Sequence, residues 1–290
     1  MSADTWTIQQ LLTWCTEDFR KRGLDSPRLD AELLVAHALG VDRVRLYLDF
    51  ERPLDAEERK LVRELVERRR RREPVAYILG ERAFYGRMFR VRPDVLIPRP
   101  DSETLIERAL ALLPADAATH VLDVGAGSGC LGLTLAAERP ALQVTLADIS
   151  PSALEVTRDN AEQLAVTERV NLVRSDLFAS VPVPDGGFRL IVSNPPYIPS
   201  ADVDALMPDV LRFEPRLALD GGRDGLDLVR RLAQGARERL QPEGALLIEI
   251  GVGQAEDGMA LLREAGFVGV VTHRDLGRIP RVIEGRRAAA

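Results

Sequence analysis

The sequence predicts an α/β protein: a small helical domain, a β-hairpin linker, and a doubly wound parallel sheet with helices between its strands. Three observations carry that expectation. From Thr7 to about Glu73 the apolar residues recur at helical spacing. The stretch "AFYGRMFRVRPDVLIPRP" at Ala83–Pro100 then changes to a strand–turn–strand pattern, with Gly86 at the turn. After it, short β-rich runs alternate with helix-like segments, the signature of a parallel sheet built from crossovers.

In the helical domain, "SPRLDAELLVAHALG" starts at Ser26–Pro27 and stops at Gly40, with Leu29, Leu33, Ala36 and Leu39 on helical spacing. "LDAEERKLVRELVERRRRREP" opens on Asp55 as a cap and places Leu61, Leu65 and Val66 on one face. Its end, Arg68–Arg72, suits a helix C-terminus, where cations are favoured. A solvated helix end is the expected role for that run, with a nucleic-acid or acidic-partner contact as the alternative. The predicted boundaries are 1–75 for the helical domain, 76–99 for the hairpin linker and 100–290 for the sheet domain. "HVLDVG", "QVTLADI", "VNLVRSD", "FRLIVSN" and "ALLIEIG" are the predicted parallel strands, and the tail "FVGVVTHRDLGRIPRVIEGRR" reads as an antiparallel pair.

Bulk properties narrow the function. A chain of 290 residues with 46% apolar and 29% charged content has the composition of a soluble globular protein with ample core material. A net charge of −6 argues against a broad duplex-binding surface. Cys15 and Cys130, far apart, make neither a disulfide framework nor a metal knuckle and fit a reducing compartment. His37, His120 and His273 are isolated, so no metal is expected. The start "MSADTWTIQQ" lacks the basic and apolar regions of a signal peptide, and no apolar run is long enough to span a bilayer. A cytoplasmic protein is expected.

The chemistry-bearing residues fall at predicted strand ends. "VLDVGAGSGCLGLTLA" places Gly125, Gly127 and Gly129 between a strand and a helix, where backbone can approach a ligand and free N–H groups face it. Gly127, Gly129 and Gly132 also match the dinucleotide spacing, with Asp148 near the ribose-binding position. Two features favour a different nucleotide. Asp123 could attract an amino-acid ammonium group, and Asp176, closing the third strand, could accept an adenine N–H. With Asp148 on ribose, successive strand ends would meet methionine, ribose and adenine, the parts of S-adenosylmethionine.

The fourth strand ends in "SNPPY". Pro195 pushes Asn194 towards an extended backbone, and neither Pro195 nor Pro196 has an N–H. Carbonyl acceptors, the Asn194 amide oxygen and the Tyr197 ring would suit something flat that carries N–H groups. A strand ending in a rigid turn is the plain alternative.

With these motifs in view, the chain resembles the HemK/PrmC family of protein-glutamine N5-methyltransferases, which modify peptide chain release factors. The likeness runs nearly end to end through "EPVAYILGERAFYG", "LIPRPDSETLIERAL", "LDVGAGSG", "ADISPSALEVTRDNA", "SDLF", "IVSNPPYI", "FEPRLALDGGRDGLDLVRRL" and "LIEIG". The resemblance implies a Rossmann-like, seven-stranded class I methyltransferase domain after the helical domain and hairpin. Its S-adenosylmethionine contacts would be Asp123, the loop Gly125, Ala126, Gly127, Ser128 and Gly129, then Asp148, Asp176, Leu177 and Asn194. Asn194, Pro195, Pro196 and Tyr197 would hold the substrate glutamine, with Asn194, Pro195 and Tyr197 catalytic. Ala126 stands where threonine is frequent, and Leu177 where some relatives have tryptophan, which implies an apolar wall beside adenine instead of a stacked ring. Methyl transfer to the glutamine of the GGQ motif in class I release factors, by a monomer binding neither nucleic acid nor membrane, is what the resemblance implies.

Alternatives remain. Sister enzymes act on a ribosomal-protein glutamine, but "PRPDSE" and "FEPRLAL" favour the release-factor branch. An adenine-N6 methyltransferase would put an exocyclic amine to the same "NPPY" stretch, and a non-catalytic cofactor-binding protein is a further class. Asp101 and Glu103 could form a carboxylate pair or simply start a helix, and Arg99 could tether the hairpin to the sheet or contact substrate. Cys130 could be activated by a helix start or merely packed.

Overall fold

The computed structural model describes residues 6–116 and 118–289, and they form two compact units. The first takes the chain through Gly80 together with Pro208–Phe213. Its helices are α1 (Ile8–Lys21), α2 (Pro27–Leu39), α3 (Arg43–Leu48), α4 (Ala56–Arg70) and α5 (Val75–Leu79). Thr7 and Gln10 close a capping box on α1, and Asp55 and Glu58 close another on α4, each satisfying two orphan N–H groups. Gly40 stops α2 in the left-handed conformation, φ 63°.

The apolar faces differ from expectation by a fraction of a turn. Leu29 is 41% and Leu61 47% exposed. Ala36 and Val66 are buried as expected, joined by Leu34 and Val35 on α2 and Val62 on α4, and these pack with Leu12, Phe19 and Leu46, while Arg69 is buried on the same face of α4. An arginine on the buried face of α4 is the reason the apolar spacing misled: Val62, Val66 and Arg69 sit at i, i+4 and i+7.

The Arg68–Arg72 run is only in part a solvated helix end. Arg69, 5% exposed, donates to Asp30 Oδ2 (2.8 Å), Asp209 Oδ2 (2.7 Å) and the Glu73 carbonyl (3.1 Å). Arg70 pairs with Asp18 and lies 5.1 Å over the Trp14 ring, and Arg68 grips Glu73. Arg72 donates to the carbonyls of Arg22 and Gly23. Four of the five cations thus stitch this unit together, while Arg71 is exposed at the helix end. The helical unit also runs past residue 75, because Val75–Leu79 forms a helix and the hairpin strands begin at Glu81.

The second unit holds the hairpin β1 (Glu81–Phe84) and β2 (Arg87–Arg90), α6 (Glu103–Leu112), β3 (Thr119–Val124), α7 (Cys130–Glu138), β4 (Leu142–Asp148) and α8 (Pro151–Gln163). It continues with β5 (Val170–Arg174), β6 (Phe188–Ser193) and α9 (Ser200–Val203). Past Pro208–Phe213, which is α10 in chain order, come α11 (Asp227–Ala236), β7 (Leu240–Glu249), α12 (Ala255–Glu264), β8 (Val268–Arg274) and β9 (Pro280–Arg286). The seven-stranded sheet has the order β5-β4-β3-β6-β7-β9-β8, parallel through β7 and antiparallel at β9 and β8.

Both faces are buried, so the parallel strands read as apolar runs. Val121, Val144, Leu190, Val192 and Leu247 point to one core, Leu122, Ile191, Leu246 and Ile248 to the other. The hairpin belongs to this unit. Asn160 on α8 accepts from Arg90 N (2.7 Å) and donates to the Arg90 carbonyl (3.0 Å) and to the Ser128 carbonyl (2.8 Å). One buried amide thus ties the hairpin to the glycine loop.

Candidate active site

Strand order reverses direction between β3 and β6, and open α/β sheets bind ligands outside the strand C-termini at that point. A cavity of about 310 Å³ lies there, within the range of small-molecule sites. Every wall comes from the second unit.

The glycine loop follows β3. Gly125 (φ 75°) and Gly127 (φ 56°) hold left-handed conformations, and an added Cβ at either would meet no atom within 4 Å, since both open on the cavity. The loop is pinned from behind by Gly125 N and Ala126 N donating to the Ala147 carbonyl, at 2.8 and 3.1 Å. Asp148, ending β4, accepts from Gly127 N (2.8 Å) and Ser150 N (2.9 Å), so its carboxylate is fixed at the cavity edge with lone pairs to spare. Leu177, after β5, and Ile149, after β4, line the next stretch, and Asp176 stands at the rim paired with Arg231 at 2.9 Å. A left-handed backbone cradle, a strand-end carboxylate and an apolar slot fit a nucleoside cofactor.

Asp123 does not line the cavity. It is fully buried, Oδ2 accepts from Gly132 N at 2.9 Å, and Oδ1 has no partner among the described residues. Burial pushes its carboxyl up to about 7, with the Asp148 charge adding to the rise and the Gly132 N–H opposing it. A direct ammonium contact is therefore replaced by a role in holding the start of α7. Gly129 also stands behind the cavity, where a Cβ would lie 2.8 Å from Leu133 and Thr157 side chains. Cys130 lines the cavity, but burial raises its thiol to about 12, the opposite of an activated cysteine.

After β6, Asn194 and Pro196 line the cavity. Pro195 is buried and Tyr197 partly so, and neither forms the wall of this cavity. Among the described residues no donor reaches the Pro195 carbonyl. The turn is held by the "GGRDGLD" loop. A Cβ on Gly221 would fall 2.6 Å from the Pro196 carbonyl oxygen, and one on Gly225 would fall 2.2 Å from that of Tyr197. Gln254 donates to the Tyr197 carbonyl at 2.9 Å. Burial raises the Tyr197 hydroxyl, with the Glu249 charge next.

Arg99, on the cavity wall, pairs with the buried Glu214. Glu214, 5% exposed, accepts from Arg99 Nη2 (2.5 Å) and Ile97 N (3.3 Å). Arg99 thus ties its own segment to the loop at Glu214, not the hairpin to the sheet, and also lines the cavity. Asp101 pairs with Arg281 (2.8 Å), and Glu103 accepts from Tyr85 N (3.0 Å), so the two acids do not form a catalytic pair. Sequence reasoning passed over Ser102, Glu214, Glu249 and Gln254. Glu249 left a signal, an acid inside the apolar run "LIEIG".

A sheet of this order, open at its switch point onto a nucleoside-sized crevice, is that of the methyltransferases. Residues 10–80 match the PrmC N-terminal domain family and residues 102–211 the methyltransferase small domain family. A release factor glutamine methyltransferase of Geobacter sulfurreducens is 46% identical over 98% of this chain and 98% of its own. That of Rhodopirellula baltica is 40% identical over 99% of both chains. Among solved structures, a methyltransferase from Pyrococcus furiosus shares the fold at 19% identity, with a TM-score of 0.53 over 71% of this chain and 91% of that one. The chain belongs to the release factor glutamine methyltransferase family.

Proposed function

We propose that the protein transfers a methyl group from S-adenosylmethionine to the side-chain nitrogen (N5) of the glutamine in the GGQ motif of class I release factors. The observation that carries this reading is the meeting of the glycine loop, Asp148, Leu177 and Asn194 around one cavity, in a chain of this family. Gly125–Ser128, Asp148 and the Leu177 wall would hold the cofactor. S-adenosylmethionine supplies an electrophilic methyl group on its sulfonium.

A glutamine amide nitrogen is a weak nucleophile, because its lone pair is delocalised into the carbonyl. Asn194 Oδ1 would accept one amide N–H at the cavity wall. The Pro195 carbonyl, which has no donor of its own among the described residues, would accept the other only if the bound amide reaches past that wall. Together they would fix the plane and turn the free face of nitrogen to the methyl group. The same acceptors stabilise positive charge as the N–C bond forms. Orientation of this kind supplies up to about 7–11 kcal/mol. The bond from the methyl carbon to the sulfonium sulfur would break as the N–C bond forms, leaving a neutral thioether, and the nitrogen would release its proton to water. Tyr197 supports the turn from behind through its carbonyl and ring.

The helical unit would recognise the protein substrate, and the protein would act as a cytoplasmic monomer without nucleic acid. No helix among the described residues is long and apolar enough to cross a membrane. Incubation with labelled cofactor and either a release factor or nucleic acid, followed by mass spectrometry of the labelled peptide, tests the reading. Label on the GGQ glutamine is the expected result; label in nucleic acid alone overturns it.

A further inference from the structure

Behind Asn194 lies a polar cluster that neither the glycine loop nor the "NPPY" turn accounts for. The parallel register pairs Ser193 of β6 with Ile248 of β7, so the next residues, Asn194 just past β6 and Glu249 at the end of β7 opposite Val282 of β9, fall side by side. Glu249 is 1% exposed, and so is Ser102, which arrives from the turn before α6. Asn194 Nδ2 donates to Ser102 Oγ at 3.1 Å. Ser102 and Asn194 both act on the Glu249 carboxyl as hydrogen-bonding neighbours, while Oε2 keeps no closed hydrogen bond among the described residues.

An amide has chemically opposite ends, an oxygen that accepts and an NH2 that donates. The Glu249 carboxylate and the hydroxyl of Ser102, which shares the cavity wall with Asn194, attract the Asn194 NH2 and leave its oxygen as the end free for a substrate N–H. The flipped amide would set oxygen against carboxylate and offer the cavity an NH2, which cannot accept a substrate N–H. We propose that Glu249, acting with Ser102, is a positioning residue that holds the Asn194 amide nitrogen inward and oxygen toward the cavity. The inference rests on Asn194 being an acceptor for the substrate amide.

Burial raises the Glu249 carboxyl to about 7, opposed by Ser102, Arg281 and Asn194 and aided by Asp101. Tyr197 and Cys130 are the other titratable groups that feel its charge. As pH falls through that value the carboxyl gains a donor O–H, which competes for the Asn194 oxygen. Asp123 is also raised to about 7, so the diagnostic quantity is the change in the acid limb when Glu249 is replaced.

The test follows methyl transfer to a full-length release factor by the wild type, Glu249→Gln, Asn194→Ala and the double variant. Glu249→Gln is expected to lower kcat about tenfold or more while KM for the release factor and cofactor affinity stay within about threefold. Its acid limb should shrink. Adding Glu249→Gln to Asn194→Ala should cost less than about twofold more, because residues acting through one another are not additive. Wild-type kcat with an unchanged acid limb, or full additivity in the double variant, overturns the proposal. If Glu249→Gln does not fold, Ser102→Ala takes its place, with the same expected fall in kcat and the same non-additivity. A wild type that methylates no glutamine overturns the functional reading and this inference together. Transfer that Asn194→Ala abolishes and Glu249→Gln leaves intact overturns this inference alone.

Discussion

Replacing Glu249 by glutamine should stabilise the folded protein at alkaline pH. The carboxyl is raised from 4.5 to about 7, chiefly by burial. A carboxyl raised on folding costs nothing while both states are protonated, below about pH 4.5. As pH rises, the unfolded chain releases its proton first, and stability falls until the folded-state value near 7 is passed. Each pKa unit is worth about 1.36 kcal/mol, so a rise of about 2.5 units amounts to about 3 kcal/mol above pH 8. Glutamine has nearly the same shape and no charge to bury. Asp123 shifts the same way but is present in both proteins and cancels from their difference. Urea denaturation followed by circular dichroism, at half-unit steps from pH 4.5 to 8.5, should show the variant gaining on the wild type up to pH 7–8 and then holding level. A difference that is independent of pH, or a wild type that gains on the variant as pH rises, would refute a carboxyl raised by burial.

Asp148→Ala removes the strand-end carboxylate that stiffens Gly127 and faces the cavity; calorimetry should show S-adenosylmethionine affinity down at least tenfold, since charged hydrogen bonds contribute about 1.5–3 kcal/mol each. Asn194→Ala should lower turnover by about 10²–10³ with much less effect on cofactor binding, and a release factor carrying glutamate for the GGQ glutamine should be inert in the same single-turnover assay. Arg69→Ala leaves Asp30 without its cation and Asp209 with Arg72 alone at 3.5 Å, and thermal and urea melts should report a loss of about 3–5 kcal/mol from the helical unit.

The sequence by itself determined the order of the elements and the strand ends that carry chemistry. Helix caps at Asp55 and Gly40, the glycine loop at 125–129 and the turn at Asn194 are local chemistry. Once the strands are parallel, connectivity alone brings residues 125, 148, 177 and 194 to one edge of the sheet. Only the tertiary structure decided which side each residue faces and what stands behind it. Asp123 lies inside, Pro195 and Tyr197 lie behind the cavity wall, and the arginine run is spent on Asp18, Asp30, Glu73 and Asp209. Ser102 meets Asn194 across 92 positions, and Arg69 meets Asp209 across 140. Periodicity reports the environment of one segment at a time. A buried polar pairing depends on two segments and on how closely the apolar layers around them pack, so it exists only in the folded chain.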